Sequence, residues 1–149
     1  MRVTPDIDVL APEDLTAIIA CMLLDAAVFP HPSVSFGTEV KRVGSRVWVL
    51  RDAGEVRGFA AMRVRLREGY VMGFAIAPER HGRGLGGALL DEMLVFSRTI
   101  GLGRIDLHVS AANPPALGLY ESRGFRRSKH VPRFYGADED AYVMSRRLR

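Results

Sequence analysis

The stretch Pro78-Glu79-Arg80-His81-Gly82-Arg83-Gly84-Leu85-Gly86-Gly87 decides the fold of this chain. It joins an apolar strand pattern, Tyr70–Ala77, to a segment of helical periodicity, Leu85–Ile100. Four glycines in six residues let backbone N–H groups converge, and the start of the following helix adds partial positive charge. The sequence therefore predicts a strand–loop–helix unit whose loop binds a phosphate or pyrophosphate. The alternative is a flexible connection without a ligand, although a turn needs fewer glycines.

Two other phosphate-binding motifs do not fit this loop. Gly82, Gly84 and Gly87 satisfy the spacing G-x-G-x-x-G, and Asp106 follows at about the distance of a ribose-binding acid. In the dinucleotide-binding fold the glycines follow the strand directly, whereas residues 78–81 intervene here. Too few residues remain after Gly87 for two mononucleotide-binding halves. The chain also lacks the P-loop pattern G-x-x-x-x-G-K-[ST].

The rest of the chain alternates strand and helix patterns around this loop. A helix is predicted after Pro12, because proline and the acids that follow it suit a first helical turn. An antiparallel hairpin comes next and a β–α–β–α–β–β order follows, so we expect an α+β fold with a mixed sheet, in one domain over residues 1–149. The face that we expect the first helix to bury consists of Leu15, Ile18, Ile19, Met22, Leu23 and Ala26.

Composition predicts an ordinary globular protein. The chain has 149 residues, 48% of them hydrophobic and 26% charged. Its single cysteine, Cys21, excludes an internal disulfide and is expected to be a buried packing residue. The apolar run Ala17–Leu24 is too short to span a membrane, and no signal-peptide core follows Met1, so we expect a cytoplasmic protein. The four histidines are scattered, and none has the spacing of a zinc ligand.

The positive charge is carried almost entirely by arginine. The net charge is +4, and only Lys41 and Lys129 among the 21 basic residues are lysines. One explanation is a coding bias; the other is a surface that binds phosphates or acidic partners, for which the alternating Arg63, Arg65 and Arg67 are candidates. Because the arginines are scattered and no aromatic residues interleave with them, we do not expect a nucleic-acid partner.

The sequence resembles the GCN5-related N-acetyltransferase (GNAT) family. The resemblance rests on the run from Phe74 to Gly87 and on the later pattern Asn113-x-x-Ala116-x-x-x-Tyr120-x-x-x-Gly124-Phe125. It covers residues 45–147 well and the N-terminal part in layout only. The family's loop pattern is Gln/Arg-x-x-Gly-x-Gly/Ala, and this chain departs from it with His81 in the first position. The resemblance implies a mostly antiparallel, twisted sheet of six to seven strands, flanked by about four helices and splayed at the acetyl-coenzyme A site.

The resemblance also implies how acetyl-coenzyme A is held, without a metal. The end of the strand before the loop would pair with the pantetheine arm, and the backbone of the loop would bind the pyrophosphate. Asn113 would lie near the thioester, and a plain helix N-cap is an alternative that is compatible with this role. The residues so assigned are Phe74, Ala75, Ile76, Gly82, Arg83, Gly84, Leu85, Gly86, Gly87 and Asn113.

Tyr120 matches the tyrosine with which the family protonates the departing thiolate. The alternative is a half-buried aromatic residue on a helix. A thiol has a pKa of about 8.5 and a tyrosine one of about 10, so the thiolate already leaves fairly well without help. General acid catalysis is typically worth ~10²–10⁴-fold, which makes the tyrosine helpful but not indispensable.

The proton acceptor for the attacking amine stays open between several residues. The most similar subgroup, the ribosomal-protein-alanine N-acetyltransferases (RimI-like), has a glutamate at the position of His108. A histidine with a pKa near 6.5 can accept a proton at neutral pH. A hydrogen-bonded core histidine is an equal alternative for His108, and Glu68 and Tyr70 are alternates for the base.

The acceptor side resembles the RimI-like enzymes at both ends of the chain. The likeness rests on Phe29-Pro30 and Arg133-Phe134-Tyr135, and it assigns Phe29 and Tyr135 to the acceptor. Tyr70 is predicted to bind the acceptor with them. The likeness implies direct attack of an amine in a ternary complex, with the oxyanion stabilised by a backbone N–H near Phe74–Ile76. The amine would be a protein or peptide N-terminus, or alternatively a small-molecule amine. A noncatalytic domain that only binds acetyl-coenzyme A is a further alternative. We expect a monomer or a homodimer.

Overall fold

The computed structural model describes residues 5–148. The strands are β1 (Asp6–Val9), β2 (Ser45–Asp52), β3 (Glu55–Arg65), β4 (Glu68–Ile76), β5 (Arg104–Ser110), β6 (Arg126–Gly136) and β7 (Glu139–Arg147). The helices are α1 (Leu15–Val28), α2 (Phe36–Glu39), α3 (Leu85–Thr99) and α4 (Pro114–Ser122), and one 3-10 turn covers Pro78–Arg80. This content confirms the predicted α+β class.

All seven strands form one sheet, which opens between its two middle strands. The strand order is β1-β2-β3-β4-β5-β7-β6. Neighbours are antiparallel except β4 and β5, which pair in parallel only from Glu68–Val71 to Arg104–Leu107. Met72 is an extra residue in β4, because Val71 and Gly73 oppose consecutive residues of β3. Such a bulge bends a strand, so β4 leaves β5 here and the predicted splay is confirmed.

Helices pack on both faces of this sheet, and each face has its own core. One core contains residues of α3 and α4, among them Leu89, Met93 and Tyr120. The other contains α1 and α2 residues such as Cys21 and Phe36 against β2 and β3. The sheet is therefore held between helices on either side, and the cleft between β4 and β5 lies where the two strands diverge.

The face that α1 buries differs from the predicted one. Ala17, Ile18, Cys21 and Asp25 are buried, and only Ile18 belongs to the predicted stripe. The side chains of Leu15, Ile19, Met22 and Leu23 are 53–67% exposed. The prediction was wrong because α1 is apolar on most sides, so periodicity cannot choose its inner face. Small residues let the helix approach the sheet, and the buried Asp25 carboxylate accepts hydrogen bonds from the Ser33 N–H and hydroxyl at 2.8 and 2.7 Å.

Candidate active site

The glycine-rich loop presents a row of free backbone donors. Among the described residues, no acceptor is found for the N–H groups of residues 82–87. Gly82 and Gly84 have φ angles of +78° and +75°, a conformation that costs other residues about 1–2 kcal/mol. The last donors belong to the first turn of α3, whose partial positive charge adds to theirs. These features fit a pyrophosphate held by the backbone.

Side chains outside the glycines fasten this loop to the sheet. The His81 Nε2–H donates to the Ile76 carbonyl at 2.8 Å, so the residue that departs from the family pattern ties the loop to the end of β4. Arg80 Nε and Arg83 Nη1 both donate to Asp52 Oδ2, at 2.8 and 3.0 Å. Asp52 is only 8% exposed and ends β2. One carboxylate thus holds both arginines of the loop.

Asp52 is a site residue that the sequence did not reveal. It lies at the start of the hairpin turn between β2 and β3, and aspartate is common at turns for local backbone reasons alone. Its partners lie 28 and 31 residues away, and no local pattern links them. Arg83, predicted to bind acetyl-coenzyme A, forms this ion pair with a side chain that is 50% exposed.

The end of β4 offers a free backbone edge beside the loop. Phe74, Ala75 and Ile76 pair with Ala60, Phe59 and Gly58 of β3, and none of them pairs with β5. This edge is where the sequence predicted the pantetheine arm. The Phe74 ring lies 5.9 Å from the Tyr120 ring in an edge-to-face arrangement. The cofactor strand and the predicted acid are therefore in contact.

Tyr120 is held rigidly in α4. Asn113 caps this helix, because its side-chain oxygen accepts a hydrogen bond from the Ala116 N–H at 3.3 Å. The Tyr120 ring packs between Phe74 and Phe125, and the residue is 6% exposed. Burial, with a smaller contribution from Tyr135, raises the pKa of Tyr120 above its ordinary value. The phenol is therefore protonated at neutral pH, as a proton donor must be.

The acceptor side is an aromatic cluster around His108. The Tyr70 hydroxyl and His108 Nδ1 are 2.8 Å apart. The His108 ring stacks on Phe134 at 4.2 Å, and Phe134 meets Tyr135 edge-on at 4.8 Å. Desolvation lowers the pKa of His108, Asp106 partly offsets this, and Lys129 lowers it further. Burial raises the pKa of Tyr70. Burial also raises the pKa of Tyr135 to about 12, with smaller contributions from Tyr70 and Glu139.

The structure brings most predicted site residues together. Phe74 contacts Tyr120 and Tyr70 contacts His108, so β4 carries a partner of the predicted acid and a partner of the predicted base. Glu68, an alternate base, instead forms an ion pair with Arg104 at 3.1 Å and is 58% exposed. Phe29 follows α1 and packs, half-buried, against the core under that helix. His108 is a partly exposed histidine at the cleft, not a core residue.

Comparisons with known proteins agree with this geometry. Residues 17–125 match the model of the acetyltransferase (GNAT) family. This chain belongs to the GNAT family. It is 33% identical over 135 residues to the N-alpha-acetyltransferase RimI of Mycobacterium tuberculosis, covering 85% of this chain and 84% of the relative. It is 27% identical over 128 residues to an N-alpha-acetyltransferase of Sulfurisphaera tokodaii, covering 77% of each chain.

Solved GNAT structures give the same result. The crystal structure of the ribosomal-protein-S18-alanine N-acetyltransferase from Escherichia coli superposes with a TM-score of 0.84 at 26% identity, covering 97% of this chain and 94% of that one. Arabidopsis thaliana NAA60 in complex with acetyl-CoA has the same fold, with a TM-score of 0.80 at 22% identity over 95% and 97% of the two chains. The predicted fold, family and N-acetyltransferase activity with acetyl-coenzyme A as donor are confirmed.

Two kinds of feature are absent from the described part of this GNAT chain. Within residues 5–148, no helix combines the length and the apolar character needed to cross a membrane. The same part of the chain contains no group of three or more His, Cys, Asp or Glu side chains arranged to hold a metal ion.

Proposed function

We propose that this chain acetylates the α-amino group at the N-terminus of a protein or peptide. The observation that carries the proposal is that β4 brings the Tyr70–His108 pair and the Phe74–Tyr120 contact to the place where it leaves β5. A proton acceptor and a proton donor then flank one cleft. The relatives named N-alpha-acetyltransferase support the choice of acceptor.

Each end of the reaction has its own residues. The backbone of residues 82–87 would hold the pyrophosphate, and acetyl-coenzyme A supplies an activated thioester. A backbone N–H near Phe74–Ile76 stabilises the negative charge that develops on the carbonyl oxygen. Tyr120 donates its proton to the thiolate as it departs. The Asn113 cap fixes the start of the helix that carries Tyr120.

His108 accepts the proton of the attacking amine. A terminal α-amino group has a pKa of about 8, so most of it is charged at neutral pH and must lose a proton to attack. Because the pKa of His108 is lowered, its ring is neutral at that pH. A neutral imidazole has one donor and one acceptor nitrogen. In the tautomer whose Nδ1–H donates to the Tyr70 oxygen, Nε2 carries the lone pair that takes the proton.

The proposal extends to the domain organisation, the location and the oligomeric state of the protein. Residues 1–149 act as one acetyltransferase domain in the cytoplasm, as a monomer or homodimer, and need neither a metal nor nucleic acid. The match over 84% of the length of the M. tuberculosis RimI supports a single domain. Sedimentation with and without acetyl-coenzyme A measures the oligomeric state.

Two measurements test the proposed function. Acetyl-coenzyme A at 100 times its Kd should stabilise the protein by about 2.7 kcal/mol in thermal melting. Thiol release should then occur with peptides that have a free N-terminus and not with the same peptides blocked at the N-terminus but containing lysine. Release with polyamines or amino acids alone would show a small-molecule enzyme. Binding without transfer to any amine would show a noncatalytic domain.

A further inference from the structure

One face of the C-terminal strands forms an open groove that leads away from His108. Register partners in a sheet project to the same face, so the strand pairing sorts this face into rows. The first row is His108, Val143 and Lys129, and the second is Asp106, Ser145 and Arg126. The third pairs Arg104 with Arg147. The groove along the second and third rows has a volume of about 910 Å³.

The two acidic side chains on this face, Asp106 and Glu68, share one cation. Asp106 accepts hydrogen bonds from Arg104 Nε at 2.9 Å and from the Ser145 hydroxyl at 2.6 Å. Arg104 also pairs with Glu68, at 3.1 Å. Arg126, Lys129 and Arg147 are exposed and form no ion pair with any described residue. These three cations have no ion-pair partner among the described residues, and the face as a whole carries four cations against two carboxylates.

The spacing of these cations suits an extended peptide that starts at His108. Successive rows on one face of a strand are about 6.7 Å apart, so the third row lies about 13 Å from the first. An extended chain advances about 3.3 Å per residue, so the third to fifth residues of a peptide would reach these rows. Lys129 is already close enough to His108 to influence its protonation.

We propose that this groove selects acceptors whose third to fifth residues are aspartate or glutamate. The inference rests on the proposed function, because it takes the peptide N-terminus to lie at His108. Charge complementarity identifies the partner, since three unpaired cations line a path that begins at the proposed base. A nucleic acid fits less well, because no aromatic side chain in the second and third rows offers its bases a stacking platform.

Three peptides test the proposal at low and physiological salt. They share their first two residues, begin with alanine, and carry Glu-Asp-Glu, Ser-Gly-Ser or Lys-Arg-Lys at positions three to five. We expect kcat/KM for the acidic peptide to exceed that for the neutral one by about tenfold at low salt. The preference should shrink as salt screens the charges. Equal use of the acidic and neutral peptides, or a preference for the basic one, would overturn the proposal.

Matched charge reversals locate the preference. The variant Arg126→Glu/Arg147→Glu alters the groove, and Lys41→Glu/Arg98→Glu makes the same change of charge at exposed positions outside it. Only the groove variant should lose the acidic preference. If the control loses it equally, the effect is one of net charge and the groove has no role. Tighter binding of a short single-stranded RNA than of the acidic peptide, lost in the groove variant, would identify a nucleic-acid site instead.

A binding measurement separates this inference from the proposed function. The labelled acidic peptide is titrated into the wild type and both variants in the presence of coenzyme A. Acidic binding that the groove variant loses, without acetyl transfer to any peptide, would refute the proposed function and keep the groove. Acetylation of all three peptides with equal efficiency would refute the proposed role of the groove and leave the proposed function standing.

Discussion

The donor end and the acceptor end of the cleft are built in different ways. The donor end is one contiguous loop of backbone donors, fastened to the sheet by Asp52 and the His81 side chain. The acceptor end takes side chains from β4, β5 and β6, and Tyr70, Phe134 and Tyr135 are each 38–44% exposed. A site made of backbone tolerates changes of side chain, whereas a site made of side chains changes its chemistry with each substitution. The difference implies that this chain shares its donor with its relatives and can differ from them in its acceptor.

The largest expected effect lies between the two ends, at Tyr120. Tyr120→Phe removes the proton donor and keeps the ring that packs on Phe74 and Phe125. We expect kcat to fall by ~10²–10⁴-fold, with the Kd of acetyl-coenzyme A unchanged. Steady-state thiol release and calorimetric titration measure the two quantities. The control is Tyr142→Phe. Tyr142 lies in β7, where its ring contacts Arg127, and the variant should retain full turnover. Unchanged turnover in Tyr120→Phe would remove the assigned role.

His108→Ala tests the acceptor end through its pH dependence. Because desolvation lowers the pKa of His108, the wild-type kcat/KM should fall only when the pH drops below about 6.5. Below its pKa the ring is protonated and cannot accept a proton. The variant should lose about 100-fold in kcat/KM above that pH, the lower end of the usual range for general base catalysis, and should lack this acidic limb. His31→Ala, in an exposed histidine outside the cluster, should leave the profile unchanged. A variant profile with the wild-type acidic limb would exclude His108 as the base.

Asp52→Asn tests whether the donor loop needs the ion pairs that Asp52 forms with Arg80 and Arg83. The variant leaves Arg80 and Arg83 without their shared counter-charge, so the loop should lose its ordered position before the ligand binds. We expect the Kd of acetyl-coenzyme A to rise by about tenfold with kcat nearly constant. Asp91→Asn breaks an exposed ion pair with Arg123 and should leave the Kd unchanged. Equal or tighter binding of acetyl-coenzyme A by Asp52→Asn would contradict this expectation. It would mean that the Asp52 carboxylate does not help the loop to bind the pyrophosphate.

The same contrast explains what could be predicted from the sequence. The loop and the Asn113-to-Phe125 pattern are local, so they predicted the fold and the donor end. The bulge at Met72 and the ion pairs of Asp52 with the loop arginines depend on residues that meet only in the folded sheet. Arg63 was a candidate for an acidic partner, yet it forms an ion pair with the buried Glu39. Hydrophobic periodicity likewise failed for α1, because packing against the sheet selects its inner face.

The smallest expected effect is at His81, where this chain departs from its family's loop pattern. His81→Gln restores the family's residue type, and an amide can donate to the Ile76 carbonyl as the imidazole does. Because residues 82–87 would bind through their backbone, we expect the Kd of acetyl-coenzyme A to change by less than about threefold. The matching exchange at the acceptor end, His108→Glu, should move the acidic limb of kcat/KM towards the pKa of a carboxylate, near 4.3. A large effect at His81 together with an unchanged limb at His108 would reverse the contrast, because a side chain would then set the affinity of the donor end while His108 would not be the base of the acceptor end.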